Sequence, residues 1–196
     1  MSEFRSRYLT WTSEPGYTSG SAKAIWRRRG LARVITGGQS GVDRAVLDVA
    51  AELGLPCGGW CPRGRWAEDG PIDTCYPLRE TPLRRAIQRT RWNMRDSDGT
   101  LILARNRPRG GSAVLPRLAG VNHPRIVVSP EDPRAPSRAI RFVMANGLRV
   151  LNIGGPRESE DPGIYLAARA FLLRLFSPCW NPAKATAKHR TGTGRS

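Results

Sequence analysis

Arg33-Val34-Ile35-Thr36-Gly37-Gly38-Gln39-Ser40-Gly41-Val42-Asp43 is the stretch on which the fold turns. Val34 and Ile35 make a short apolar run, the end of a strand buried on both faces. Gly37, Gly38 and Gly41 let the backbone turn sharply and bring its amides close to whatever lies there. From Asp43 a helix is predicted, with Val42, Ala45, Val46, Val49, Ala50 and Leu53 on one apolar face. A helix N-terminus carries about half a positive charge and several unpaired N–H donors, so a strand, a Gly-rich turn and a helix suit an anion. The same turn also serves plain packing of helix on strand, and on this stretch alone both readings stay open. It is neither a GxGxxG fingerprint nor a P-loop, because no Gly-Lys-Ser/Thr follows.

Working outward, the punctuation is regular. Gly54 and Pro56 stop the first helix. Cys57-Gly58-Gly59-Trp60 reads as a second strand, followed by a long irregular loop from Cys61 to about Pro82 and a helix over Leu83 to Arg95. Gly99 to Leu103 is the third strand, and Gly110-Gly111-Ser112 opens a short helix to Ala119. Arg125 to Val128 is the fourth strand, Pro136 to Asn146 a helix, and Val150 to Ile153 the fifth strand, ending in Gly154-Gly155-Pro156-Arg157. The last helix takes Asp161 as N-cap and Pro162 at its first position, with Ile164, Ala167, Ala168, Phe171, Leu172 and Leu175 on one face. Strands alternating with helices imply a Rossmann-like three-layer α/β/α fold whose sheet is mostly parallel, with about five or more strands. Ligands bind such sheets at the carboxyl ends of strands. Three strands end in Gly-Gly, so three Gly-rich turns are expected along one edge.

The chain of 196 residues is long enough for one domain with a full core. Residues 31–176 carry the pattern of a Rossmann-like oxyanion-binding domain, residues 1–30 look like an appended, disordered extension, and residues 177–196 like a basic disordered tail. The net charge is +16, of which +5 lies in residues 1–33, +4 in 177–196 and +7 in the middle. No helix-turn-helix, RNP-type or Cys/His finger motif accompanies it, so nucleic acid is expected only as a non-specific partner of the tails. No apolar run approaches the roughly 18 residues of a membrane span, and the N-terminus lacks a signal-peptide core. A cytoplasmic protein with no membrane partner is the expectation. Cys57, Cys61, Cys75 and Cys179 show no CxxC spacing, and the histidines are His123 and His189, so no zinc site is expected.

Among residues that could carry chemistry, Ser40 and Ser112 open helices, as caps or as hydroxyl donors to an oxyanion. Asp43 suits helix capping, a ribose contact or a cation. Arg89 and Asn93 stand at i, i+4 and share a helix face. Arg157, one residue past the last Gly-Gly-Pro, offers a fork of donors. Arg63, Arg65, Glu68 and Asp69 form a second tier in the loop, either as a lid or as loop structure. No Ser/His/Asp constellation and no nucleophile is evident.

The segments Gly37 to Arg44, Gly58-Gly59-Trp60-Cys61-Pro62, Ala67-Glu68-Asp69-Gly70, Tyr76-Pro77-Leu78, Arg95 to Leu101, Gly110-Gly111-Ser112 and Gly154 to Ser159 together resemble the putative molybdenum carrier family, within the lysine-decarboxylase-like Rossmannoid proteins. The resemblance covers about residues 31–176. It implies an oligomer that carries molybdate, or a similar oxyanion, without a covalent cofactor. The residues that would bind it are Gly37, Gly38, Gln39, Ser40, Gly41, Asp43, Arg89, Asn93, Gly110, Gly111, Ser112, Gly154, Gly155 and Arg157. Molybdate has two negative charges and only acceptor oxygens, so N–H, O–H and Arg donors suit it, as they suit phosphate or a nucleotide. A nucleotide-sensing module is therefore the alternative. Relatives that cleave nucleoside monophosphates carry a signature like Pro-Gly-Gly-x-Gly-Thr-x-x-Glu; here the Glu position falls on Leu115 or Arg117, which cannot serve as that carboxylate. An enzyme is accordingly not the favoured expectation. Two departures stand in the same turn: Ser112 replaces the more frequent Thr, and Pro116 removes an amide early in the helix.

Overall fold

The computed structural model describes residues 24, 26, 27, 29–106 and 123–176. In chain order the elements are β1 (Arg33–Ile35), α1 (Val42–Glu52), β2 (Cys57–Gly58), β3 (Trp60–Cys61), a 3-10 turn (Arg63–Arg65), β4 (Trp66–Ala67), β5 (Gly70–Pro71), β6 (Arg79–Glu80), α2 (Ala86–Arg95), β7 (Gly99–Leu103), β8 (Arg125–Val128), α3 (Ala135–Ala145), β9 (Val150–Gly154) and α4 (Ile164–Phe176). Five of the strands form one all-parallel sheet in the order β2-β1-β9-β7-β8. The last strand in the chain is thus the central one. Ile35 of β1 lies opposite Asn152, and Thr100 of β7 flanks Asn152 on the other side.

The sheet is short-stranded and apolar because both faces are covered. On one face Val34, Leu101, Leu103, Leu151 and Ile153 join the buried residues of α1, α3 and α4 in a single cluster. α1 and α4 pack directly on each other. The connection from β2 to β7 runs the opposite way along the sheet from that between β1 and β2, so a right-handed crossover puts α2 on the second face. Ile35 and Ile102 are buried there, outside the first cluster. A polar triad lies there too, with His123 half-buried: Asn152 Nδ2 donates to Thr100 Oγ1 at 3.2 Å, which lies 2.8 Å from His123 Nε2. Burial, then the neighbouring Arg125, lowers the His123 pKa, which keeps the ring neutral and able to accept the Thr100 proton.

Several element boundaries depart from the sequence reading. The expected strand Cys57 to Trp60 divides at Gly59, whose φ is +129°. A Cβ there would lie 2.1 Å from the Thr36 carbonyl oxygen, so the chain passes β1 at a distance only glycine tolerates and then pairs as β3 with β6. α2 begins at Ala86 instead of Leu83. α4 begins at Ile164, and its cap is not Asp161: the Glu158 carboxylate accepts the amides of Gly163 (2.5 Å) and Tyr165 (3.0 Å), while Asp161 pairs with Arg105 at 2.7 Å. The loop expected to be irregular from Cys61 to Pro82 holds the β4–β5 hairpin and β6. Arg65 organises it by donating to the carbonyls of Ile72, Asp73, Tyr76 and Leu78, which accounts for this second-tier residue as loop structure. Within the segment expected to be appended, Trp26 is 2% exposed and meets Phe176 edge-on at 5.1 Å.

Candidate functional site

Because β1 and β9 are parallel neighbours, their exits leave the same edge side by side, as the paired Gly-Gly sequences require. The two turns interlock. Gly41 has φ +71°, and a Cβ on it would lie 2.5 Å from the Pro156 carbonyl oxygen, which in turn accepts the Val42 amide at 3.2 Å. A Cβ on Gly155 would lie 2.3 Å from the Leu103 carbonyl oxygen and 2.6 Å from Val42 Cγ2. These glycines are therefore needed for the approach of two turns, in addition to any ligand. The carboxyl end of β7 lies along the same edge, but Gly110, Gly111 and Ser112 fall outside the described residues.

Three arginines reach the turns. The Arg89 guanidinium lies against Gly37, where a Cβ would stand 2.2 Å from its Nη1, and pairs with Asp43 at 3.2 Å. Asp43 is 3% exposed and also accepts the Gln39 amide at 3.4 Å, so it braces the turn from within and does not serve as the helix cap. Arg44 donates to the Gly38 carbonyl at 3.3 Å and pairs with Asp69 at 3.1 Å. The Arg157 guanidinium lies 3.9 Å from Glu68 and 3.9 Å from Glu160, too far for a hydrogen bond to either, while its backbone amide donates to Glu160 Oε2 at 3.3 Å.

Glu68 is the node of this arrangement. Its Oε1 accepts from the Ser40 hydroxyl and, at 3.1 Å, from the Ser159 amide; its Oε2 accepts the Ser159 hydroxyl at 2.5 Å. Its own amide donates to Gln39 Oε1 at 2.8 Å, which also accepts the Ser40 amide at 3.2 Å. Burial pushes the Glu68 pKa up, but the bonds from Ser159 and Ser40 and the charge of Arg157 outweigh it and hold the carboxyl below its ordinary range. Ser40 accepts the Glu158 amide at 3.2 Å, which orients its proton toward Glu68.

Of the residues expected at the site, Gly37, Gly38, Gln39, Ser40, Gly41, Asp43, Arg89, Gly154, Gly155 and Arg157 come together at this edge. Asn93 does not join them as a donor: it shares a face with Arg89 but clamps the backbone N–H and C=O of Trp60, at 2.8 and 3.0 Å. Ser159 escaped the sequence reading as a donor, although its Gly154 to Ser159 segment was singled out; nothing in a single serine marks it. Glu68 stood only in the second tier, because its partners lie 28 and 91 residues away. Among the described residues no group of three or more His, Cys, Asp or Glu could hold a metal ion.

The family model of the circularly permutated YpsA SLOG family matches residues 34–176. The chain belongs to that family. Its strand order makes the permutation visible: counted from β9, the strands lie in the order 3-2-1-4-5, the doubly wound arrangement with its first strand moved to the end of the chain. This family member is also similar to a solved structure, the "Putative molybdenum carrier protein" of Syntrophus aciditrophicus SB, at 37% identity and a TM-score of 0.72 over 76% of this chain and 96% of that one. No curated protein matches the chain.

Proposed function

We propose that this family member binds a small oxyanion, with molybdate as the cargo, at the paired turns after β1 and β9. The observation that carries the reading is the convergence on Glu68 of the Ser40 hydroxyl, the Ser159 amide and hydroxyl, and the Arg157 guanidinium. Donors of that kind around two oxygens are what a tetrahedral oxyanion requires, and glycine-locked backbone holds them in place without reorganisation. The name of the similar Syntrophus protein supports molybdate over other anions. Asp43 answers Arg89 and Asp69 answers Arg44, so the guanidinium with the least direct carboxylate contact, Arg157, is the one assigned to the anion.

Equilibrium dialysis of the purified chain against molybdate, sulfate, phosphate and AMP, read by elemental or nucleotide mass spectrometry, tests this. Molybdate should be retained stoichiometrically, and Ser159→Ala and Arg157→Ala should each weaken retention by about tenfold, the scale of one charge-assisted hydrogen bond. Retention of AMP in preference to every inorganic anion would replace molybdate with the nucleotide reading. Retention of none would remove the oxyanion reading.

A further inference from the structure

The cradle at the paired turns carries its own occupant. Glu68 takes three close hydrogen bonds, from the Ser40 hydroxyl, the Ser159 amide and the Ser159 hydroxyl. While that carboxylate stays, these donors have nothing left for an incoming anion. Resting on the oxyanion reading above, we infer that Glu68 is an internal stand-in for the oxyanion and that binding is an exchange, in which its side chain swings out as the oxyanion takes over Ser40, Ser159 and Arg157.

The surroundings permit that movement without unfolding anything. Ala67 in the hairpin and Ile72 just past it are buried, and the Glu68 amide is held by Gln39, so the backbone is anchored. The Glu68 side chain retains 20% exposure and can rotate about its own bonds toward solvent. Ser40 keeps the Glu158 amide when Glu68 leaves, and the glycine-locked turns stay in register, so the cradle persists.

Arg157 shows what the carboxylate fails to fill. Its guanidinium stands 3.9 Å from both Glu68 and Glu160, so its fork is not engaged at hydrogen-bonding distance by either. A tetrahedral dianion is larger than a carboxylate, has more oxygens, and can meet the serines on one edge and the arginine on another. Exchange also confers selectivity. A tethered carboxylate competes at an effective concentration on the millimolar scale, so weak monoanions lose to it and only a ligand that uses the additional donor displaces it.

The experiment measures molybdate affinity at fixed ionic strength for the wild-type chain, Glu68→Gln, Glu68→Ala and Glu160→Gln. Glu160→Gln removes the same charge beside Arg157 but leaves the cradle filled. Both Glu68 variants should bind molybdate roughly ten- to a hundredfold more tightly, as expected when the competent state rises from a minor to the major population. Glu160→Gln should gain no more than about fivefold, the scale of an exposed ion pair. Glu68→Gln keeps the side-chain volume and covers the case in which Glu68→Ala fails to fold. An equal gain in the Glu160 and Glu68 variants would reduce the effect to charge and overturn the exchange. Unchanged or weaker binding in the Glu68 variants would overturn it as well, the latter by making Glu68 part of the site. If no variant, nor the wild type, binds molybdate, sulfate or phosphate, it is the oxyanion reading that falls, and the exchange with it.

Discussion

Gly41→Ala tests the interlocked turns most directly. Two costs are expected. The first is conformational: φ +71° with ψ −127° lies outside the left-handed helical well, in backbone open essentially to glycine, and a side chain held there loses roughly 1–3 kcal/mol. The second is steric: the new Cβ would lie 2.5 Å from the Pro156 carbonyl oxygen and 2.8 Å from the backbone of Arg157 and Glu158. These are backbone atoms with no rotamer to yield, so the β9 turn must shift, at about 1–3 kcal/mol by analogy with overpacking. Gly64→Ala supplies the reference. Gly64 sits close to the left-handed helical well (φ +75°, ψ 16°) with nothing within 4 Å of its Cβ position, so it carries the smaller conformational cost, roughly 1–2 kcal/mol, and no steric one. Thermal and urea denaturation should therefore show Gly41→Ala less stable than Gly64→Ala by at least about 1–3 kcal/mol, or several degrees in Tm for a body of this size. Gly41→Ala should also weaken anion binding, because the displaced Pro156–Ser159 segment carries Arg157 and Ser159, whereas Gly64→Ala should leave it unchanged. If the two variants lose equal stability, the turns are not locked to each other and the reasoning fails.

Trp26→Ala should lower stability by about 3–5 kcal/mol, since the ring is buried against Phe176; a loss below about 1 kcal/mol in urea denaturation would show that residues before Leu31 are dispensable. For acid denaturation the sign follows from Glu68: its pKa is lower in the folded chain, so its contribution is fully present above the unfolded carboxyl value near 4.5 and is lost as pH falls through the folded value. Glu68→Gln should accordingly flatten the acid limb of the Tm–pH curve below about pH 4.5, and an unaltered limb would contradict the bonding described. Asp48 accepts hydroxyls from Tyr76 (2.6 Å) and Tyr165 (2.8 Å), which joins the loop, α1 and α4. The double variant Tyr76→Phe/Tyr165→Phe should therefore depart from additivity by about 0.5 kcal/mol or more in a double-mutant cycle.

Much of the fold was legible because its signals are local. Val34-Ile35 before Gly37-Gly38, and the apolar spacing from Val42 to Leu53, specify β1 and α1 without reference to the remainder of the chain. Gly59 was misread for the opposite reason: its role is set by the Thr36 carbonyl across the sheet, and no neighbour in sequence reports that approach. The cap of α4 failed similarly. Asp161-Pro162 is a good local start signal, but Arg105, distant in sequence, takes Asp161, and Glu158 supplies the acceptor. At the site, the glycines were visible as backbone signatures, whereas the Ser40–Glu68–Ser159 node joins three segments that only the strand order brings together. Donor type was readable; what the donors were already bonded to was not.

The position of β9 has a consequence for how this chain can fold. Without it, β1 with β2 and β7 with β8 are two separate strand pairs with no ladder between them, since within the sheet each is linked to the other through β9. α4, which closes the core against α1, also follows β9 in sequence. Central pairing must therefore wait for the last fifth or so of the domain, and contacts of such long sequence separation form late. A fragment ending at Gly147 should lack a cooperative unfolding transition, although it retains α1, α2, α3 and four of the five sheet strands. Adding a peptide of residues 148–176 in trans should restore the transition, because the missing strand and helix bring the buried Leu151, Ile153, Phe171 and Leu172 with them. Cooperative unfolding of the fragment alone, by circular dichroism in urea, would mean that the contacts of α2 with the β1 side, Arg89 with Asp43 and Asn93 with Trp60, suffice to join the halves, and that the permuted strand completes the sheet without organising it.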